Sequence, residues 1–120
     1  MKDLKLFLDL IRIEKPIGIM LLFWPCLWGL TLGNNFNDNN LKYLTYIAYF
    51  FLGSILMRSA GCIVNDILDR KYDILVDRTK NRPIATGKIS TKLGLIYVVI
   101  LCFIAFLILI QFNFTTILLG

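Results

Sequence analysis

The sequence predicts an all-α membrane protein with three transmembrane helices and the start of a fourth. Composition is the first observation behind that prediction. Of the 120 residues, 58% are hydrophobic and 13% aromatic, and the mean hydropathy is +0.71, well into the range of bilayer-embedded chains. Distribution is the second. The apolar residues fall in long runs, about 17–33, 41–67 and 93–110, each near or above the roughly 17–25 residues a helix needs to cross a bilayer. Charge is the third. The net charge of +5 is carried in short segments between those runs, which excludes a broad nucleic-acid-binding surface and fits loops beside membrane helices.

Taken in order, residues 1–14 (MKDLKLFLDLIRIE) place Leu4, Phe7, Leu8 and Ile11 at i, i+3, i+4 and i+7, the pattern of an amphipathic interfacial helix. Asp3, Asp9 and Glu14 interrupt the basic region and no small-residue cleavage site follows, so this is not a signal peptide. Lys15-Pro16 ends it. The first span, about 17–33, carries Trp24 and Trp28 as packing residues or pocket walls. Its Gly29 and Gly33 form a GxxxG, a weak contact signal. Asn34–Asn40 is a polar turn. The second span, about 41–67, opens with Tyr43, Tyr46 and Tyr49, an aromatic belt. A loop over about 70–92 contains Arg82-Pro83 and Gly87; the third span follows, and Phe112–Gly120 starts a fourth. Cys26, Cys62 and Cys102 lie in apolar segments without C-x-x-C pairing and read as packing residues. Four basic residues precede the first span and seven lie between Arg70 and Lys92, against Lys42 alone in the intervening turn. The positive-inside rule then puts the N-terminus and the 70–92 loop in the cytoplasm.

The chemistry gathers at the end of the second span. Four residues of α-helix turn about 40° past a full circle and rise about 6 Å. Asn65, Asp69 and Asp73 therefore share one stripe, with Asp66 on its flank and Asp77 a turn further on. Arg58, seven residues before Asn65, lies within about 20° of the stripe and two turns deeper. Stacked like charges repel, so a cation is the expected partner. With no histidine and scattered cysteines, hard oxygen ligands favour Mg²⁺, held by one or two carboxylates plus substrate phosphates. The basic run Arg70, Lys71, Arg78, Lys80, Arg82 and Lys88 can hold those phosphates. A solvated helix end followed by a charged loop explains the same spacing as well. Arg58 is harder to explain as a solvated residue: a charge inside a span is costly and marks function, and a buried guanidinium can clamp a diphosphate or an organic carboxylate with two hydrogen bonds.

Four blocks occur in order along the chain: Arg12-Ile-Glu-Lys-Pro-Ile-Gly18, Leu21-Leu-Phe-Trp-Pro25, Met57–Asp73 with the spacing NDxxDxxxD, and Arg78-Thr-Lys-Asn-Arg-Pro-Ile84 followed by Gly87-Lys-Ile-Ser90. Together they resemble the UbiA superfamily of intramembrane prenyltransferases, and the first two look most like its bacterial 4-hydroxybenzoate polyprenyltransferases. The resemblance implies a nine-helix bundle of which this chain is an N-terminal piece. It also implies an enzyme of ubiquinone biosynthesis that moves a polyprenyl group from polyprenyl diphosphate to the ring of an aromatic acid, in the bacterial cytoplasmic (inner) membrane.

On that resemblance Asn65, Asp66, Asp69 and Asp73 are the expected Mg²⁺ ligands, and Asp69, Asp73 and Arg58 the catalytic residues. Arg58, Lys71, Arg78 and Arg82 are the expected diphosphate-binding residues, and Arg12 and Lys15 candidates for the acceptor pocket. The expected partners are the two substrates and the lipid bilayer, with no nucleic acid. The chain departs from the family in length and in having no second Asp-rich motif. It is therefore expected to be an N-terminal fragment or split-gene product that inserts in the membrane and needs a complementing C-terminal half. A catalytically dead membrane remnant and a transporter or channel fragment are the alternatives; so many arginines beside the carboxylates weigh against a cation path.

Overall fold

The amphipathic N-terminal segment, three apolar runs and a polar connection become α1 (Lys2–Ile11), α2 (Ile17–Gly33), α3 (Asn40–Leu68), α4 (Arg70–Asp73), α5 (Thr91–Leu109) and α6 (Phe114–Leu119). The computed structural model describes residues 2–33 and 40–119, and no strand occurs among them. The chain is an all-helical membrane protein. The polar turn expected over Asn34–Asn40 lies, except for Asn40, outside the described residues.

Helix α3 is the hub. Helices α2 and α5 pack along it and α1 packs against it. At 29 residues it is about 43 Å long, more than the ~30 Å of a hydrocarbon core, so it can span a bilayer and still extend beyond it. Helix α5, at 19 residues, is also long and apolar enough to cross. Helix α2 has 17 residues with Pro25 inside, about 25 Å, the short limit for a crossing. The outer surfaces are apolar: Leu32, Leu41, Val99 and Phe103 are all exposed, a pattern that lipid satisfies and water does not. Trp24 and Trp28 are exposed as well; with Leu21 and Pro25 they wall a shallow surface depression. Tyr46 stacks on Phe112 at 5.3 Å, and Tyr43 hydrogen-bonds Thr31 across α2 and α3 at 2.9 Å.

The buried core sits at one end of this bundle, at the foot of the site. Leu10, Ile11, Ile63, Ile84 and Ile89 form it, with Phe7, Ile67 and Tyr97 packed around them. Helix α1 is amphipathic as expected, but its inner face is rotated from the one the spacing suggests. Leu10 is fully buried while Leu4 is 62% exposed. Periodicity identified an apolar stripe; the isoleucines of α3 and the 83–89 turn determine which edge of it is covered. Gly94 lets α5 approach closely, since a Cβ there would stand 3.3 Å from both Ile67 and Ile84 side chains.

The 74–90 segment is a series of hydrogen-bonded turns. The Thr79 hydroxyl donates to the Asp73 carbonyl at 3.0 Å, and Ile89 N–H reaches the Pro83 carbonyl at 3.1 Å around Gly87, whose φ of 76° suits glycine. Ser90 then caps α5, its hydroxyl accepting from Leu93 N–H at 3.2 Å. Ser90→Ala is expected to cost about 1 kcal/mol. The check is the thermal midpoint of the detergent-solubilised polypeptide; an unchanged midpoint would show that the capping bond contributes nothing.

Candidate functional site

The carboxylate stripe survives a break in its helix. Helix α3 ends at Leu68 and α4 begins at Arg70. Across the junction Asp69 N–H still donates to the Asn65 carbonyl, and Asp73 N–H to the Asp69 carbonyl, each at 2.8 Å. These are i→i−4 bonds, so Asn65, Asp69 and Asp73 keep helical spacing. Asp69 itself has φ −87° and ψ 2°, the sparsely populated bridge region that active-site residues often occupy. Asn65 and Asp69 are exposed, whereas Asp73 is buried.

Asp66, one residue along, is in a different setting. It is 1% exposed, and its Oδ1 accepts from the Arg12 guanidinium and, at 3.2 Å, from Arg82 Nη1. The same Arg82 nitrogen donates to Asp73 Oδ2 at 2.7 Å. Two arginines from separate parts of the chain thus meet two buried carboxylates. Among the described residues no fully buried side-chain nitrogen or oxygen lacks a partner. Breaking a buried pair of this kind by removing one member costs about 3–5 kcal/mol, because the other charge is left unpaired.

Arg12 reaches this network through an unusual backbone. Its φ is +54°, the left-handed region that costs a non-glycine residue about 1–2 kcal/mol. Ile13 N–H bonds the Leu8 carbonyl at 3.4 Å and Arg12 N–H the Asp9 carbonyl at 3.3 Å. That is a Schellman end to α1, whose left-handed position is usually glycine. Here it is an arginine with a buried partner.

Around the two arginines opens a polar pocket of about 480 Å³ lined by Arg12, Lys15, Arg78, Arg82 and Lys88 together with Asp9, Glu14 and the apolar edge of α1. Five cations line it against two carboxylates, though two of those cations, Arg12 and Arg82, are paired with the buried Asp66 and Asp73. Among the described residues Lys15, Arg78 and Lys88 form no salt bridge.

A second groove, about 510 Å³, lies between α2, α3 and α5 and is lined by Gly18, Leu21, Met57, Arg58, Gly61 and Asn65, among others. It is mostly apolar, with Arg58 and Asn65 as its polar groups. Arg58 makes no hydrogen bond or ion pair among the described residues. Its guanidinium rests on Gly18, where a Cβ would collide with Nε and lie 2.7 Å from Cζ. Leu22 and Met57 are shared with a third, apolar cavity of about 310 Å³ that continues past Gly53 and Ser54 to Phe112.

The expected site residues therefore fall into two groups. Arg58 and Asn65 share the groove, and Arg12, Lys15, Arg78 and Arg82 share the basic pocket. Asp66 and Asp73 join the pocket through their ion pairs, and Asp69 is exposed at the helix break. Lys71 is exposed on α4 and lines neither cavity. Among the described residues no three His, Cys, Asp or Glu side chains gather as a metal centre. Lys88, expected with the basic run to hold phosphates, lines the pocket. Gly18 was not among the expected site residues, and nothing local marks it as the seat of Arg58.

An Asn-Asp-rich helix end, an arginine-lined pocket and an apolar groove thus lie together in an all-helical membrane chain. The chain belongs to the UbiA prenyltransferase family, whose family model matches residues 22–120. It is 49% identical over 111 residues to a 4-hydroxybenzoate octaprenyltransferase of Nitrosomonas eutropha, covering 92% of this chain and 37% of the relative. Proteins of the same name from Neisseria meningitidis and Methylobacillus flagellatus are 44% and 41% identical, over 94% and 93% of this chain and 37% and 36% of theirs. The chain thus spans little more than a third of the length of these curated relatives. No solved structure matches it.

Proposed function

We propose that this chain supplies the diphosphate-binding part of a membrane enzyme that transfers a polyprenyl group from polyprenyl diphosphate to the ring of 4-hydroxybenzoate. The observation that carries the reading is the juxtaposition at one end of α3: an exposed Asn65–Asp69 pair, an arginine-lined anion pocket, and an apolar groove with Arg58 as its cation. A polyprenyl diphosphate has matching parts, an anionic head and a long hydrocarbon.

Mg²⁺ fits Asn65, Asp69 and Asp73 in a limited sense. Two carboxylates and an amide are hard oxygen donors at helical spacing, and Mg²⁺ commonly takes only one or two carboxylates, with phosphate oxygens and water completing its shell. When bound it would neutralise charge on the departing diphosphate. The chain's own groups do the rest. Arg12, Arg78 and Arg82 offer fixed guanidinium donors to diphosphate oxygens. As the C–O bond breaks, its electron pair leaves with the diphosphate, and the allylic carbon accepts the π electrons of the ring at the 3-position. The proton at that carbon is then lost to an oxygen of the departing diphosphate. The apolar walls around Met57, Leu21 and Gly61 keep water from the allylic cation. Arg58 would orient the carboxylate of the acid or a phosphate oxygen.

The test uses the complete polypeptide in membranes that lack such an enzyme, supplied with polyprenyl diphosphate, 4-hydroxybenzoate and Mg²⁺. Prenylated hydroxybenzoate, lost on chelation with EDTA, is the expected product. Prenyl transfer to some other aromatic acid would correct the acceptor; no transfer to any would overturn the reading.

The same proposal puts the N-terminus and the 70–92 loop in the cytoplasm of a bacterial inner membrane, on the strength of the basic-residue count. With Cys26, Cys62 and Cys102 replaced by serine, Asn37→Cys and Lys80→Cys are expected to react with an impermeant thiol reagent from opposite sides. Labelling from the same side would overturn the topology.

A further inference from the structure

Asp66 lies one residue from Asn65, so it is turned about 100° around α3 from the stripe that carries Asn65 and Asp69. Those two are exposed, while Asp66 is sealed at 1% exposure with its Oδ1 on two guanidinium groups. A metal could bind that oxygen only by displacing both arginines. The arginines, for their part, each remain 24% exposed by side chain and both line the basic pocket. Arg12 does so from a left-handed backbone position where glycine would be easier. A strained residue persists only where its surroundings hold it, and such strain concentrates at working sites.

We propose that Asp66 is a positioning residue and not a metal ligand: it gathers Arg12 from the end of α1 and Arg82 from the 74–90 segment into one anion clamp. The carboxylate cancels part of the repulsion between two adjacent guanidinium groups and fixes their planes, leaving their outer N–H donors for phosphate oxygens. The left-handed turn at Arg12 delivers that side chain to the clamp. The proposal rests on the diphosphate reading above and specifies which residues of that site act through which others.

The experiment measures binding of labelled pyrophosphate to the solubilised complete polypeptide without Mg²⁺, and separately the Mg²⁺ concentration that half-activates transfer. Asp66→Asn is expected to weaken Mg²⁺-free pyrophosphate binding about tenfold, the scale of losing a supporting hydrogen bond at a ligand. The Mg²⁺ half-activation point should not move, and Asp66→Glu should recover part of the binding. Arg12→Gly is the second variant. It relieves the backbone but takes one of two cationic partners from the buried Asp66, and the second effect is the larger, so the thermal midpoint should fall; the folded fraction should lose pyrophosphate binding to the same extent. If Asp66→Asn does not accumulate, Arg12→Gly alone decides: unchanged binding there overturns the clamp. A tenfold rise in the Mg²⁺ requirement of Asp66→Asn, with pyrophosphate binding intact, makes Asp66 a ligand and overturns the proposal. Arg82→Gln separates the two levels. If it binds pyrophosphate normally, the diphosphate reading of the pocket fails and the proposal with it. If it loses binding while Asp66→Asn keeps it, only the positioning role fails.

Discussion

Asp69→Ala lowers kcat/KM for prenyl transfer by at least about a hundredfold, the range seen when a group that stabilises developing charge is removed, and leaves folding stability within about 0.5 kcal/mol. The two halves of this expectation come from the same geometry. Asp69 is exposed at the break between α3 and α4, and its carboxylate makes no hydrogen bond or ion pair among the described residues. Its loss therefore leaves no buried charge behind. Its backbone sits in the bridge region at the junction, which alanine can adopt. What is lost is an oxygen donor on the stripe with Asn65, so the metal–diphosphate complex is held less well. Asp73→Ala makes an instructive contrast. It should also abolish turnover, but it removes the 2.7 Å bond from Arg82, so its stability should fall too. Rates and thermal midpoints of both variants, measured over a range of Mg²⁺ concentrations, check this. A near-parental rate in Asp69→Ala would end its metal role.

Parts of this site were legible in the sequence because they are local. The i, i+4 spacing of Asn65, Asp69 and Asp73 needs only helix geometry, and the backbone bonds across the Leu68–Arg70 junction preserve it. The apolar runs needed only length. Arg58 stands out by its place inside such a run, and in the structure it lines one groove with Asn65. What periodicity could not supply was partner choice. Asp66 looked like one more carboxylate of the motif; its pairing with Arg12, 54 positions away, depends on how α1 packs on α3. That packing depends in turn on Leu10 finding Ile63, Ile84 and Ile89, a choice made between elements. Spacing also predicted α1 as a helix but not the left-handed end at Arg12, because an arginine there violates the local preference for glycine.

The contact between Gly18 and Arg58 was equally hidden, and it leads to the second large effect. Gly18→Ala is expected to raise KM for one of the two substrates at least about tenfold, with little change in stability. A Cβ at Gly18 would collide with Arg58 Nε and stand 2.8 Å from Nη2, far inside van der Waals contact, so one of the two must move. The guanidinium is the end of a flexible side chain with no hydrogen-bond partner among the described residues, and Gly18 lies in the first turn of α2, where alanine is tolerated at least as well as glycine. The helix therefore stays and Arg58 is pushed off α2, away from the geometry that gives two parallel hydrogen bonds to a carboxylate or phosphate. The substrate whose KM rises is the one Arg58 holds: the aromatic acid if it clamps the carboxylate, the polyprenyl diphosphate if it serves the head group. Arg58→Lys should raise the same KM, because an ammonium is a point charge without the planar fork. Gly29→Ala, on the same helix with nothing within 4 Å of its Cβ, is the control and should leave both KM values unchanged. Full activity in Gly18→Ala would mean that Arg58 works as a mobile charge and that α2 does not seat it.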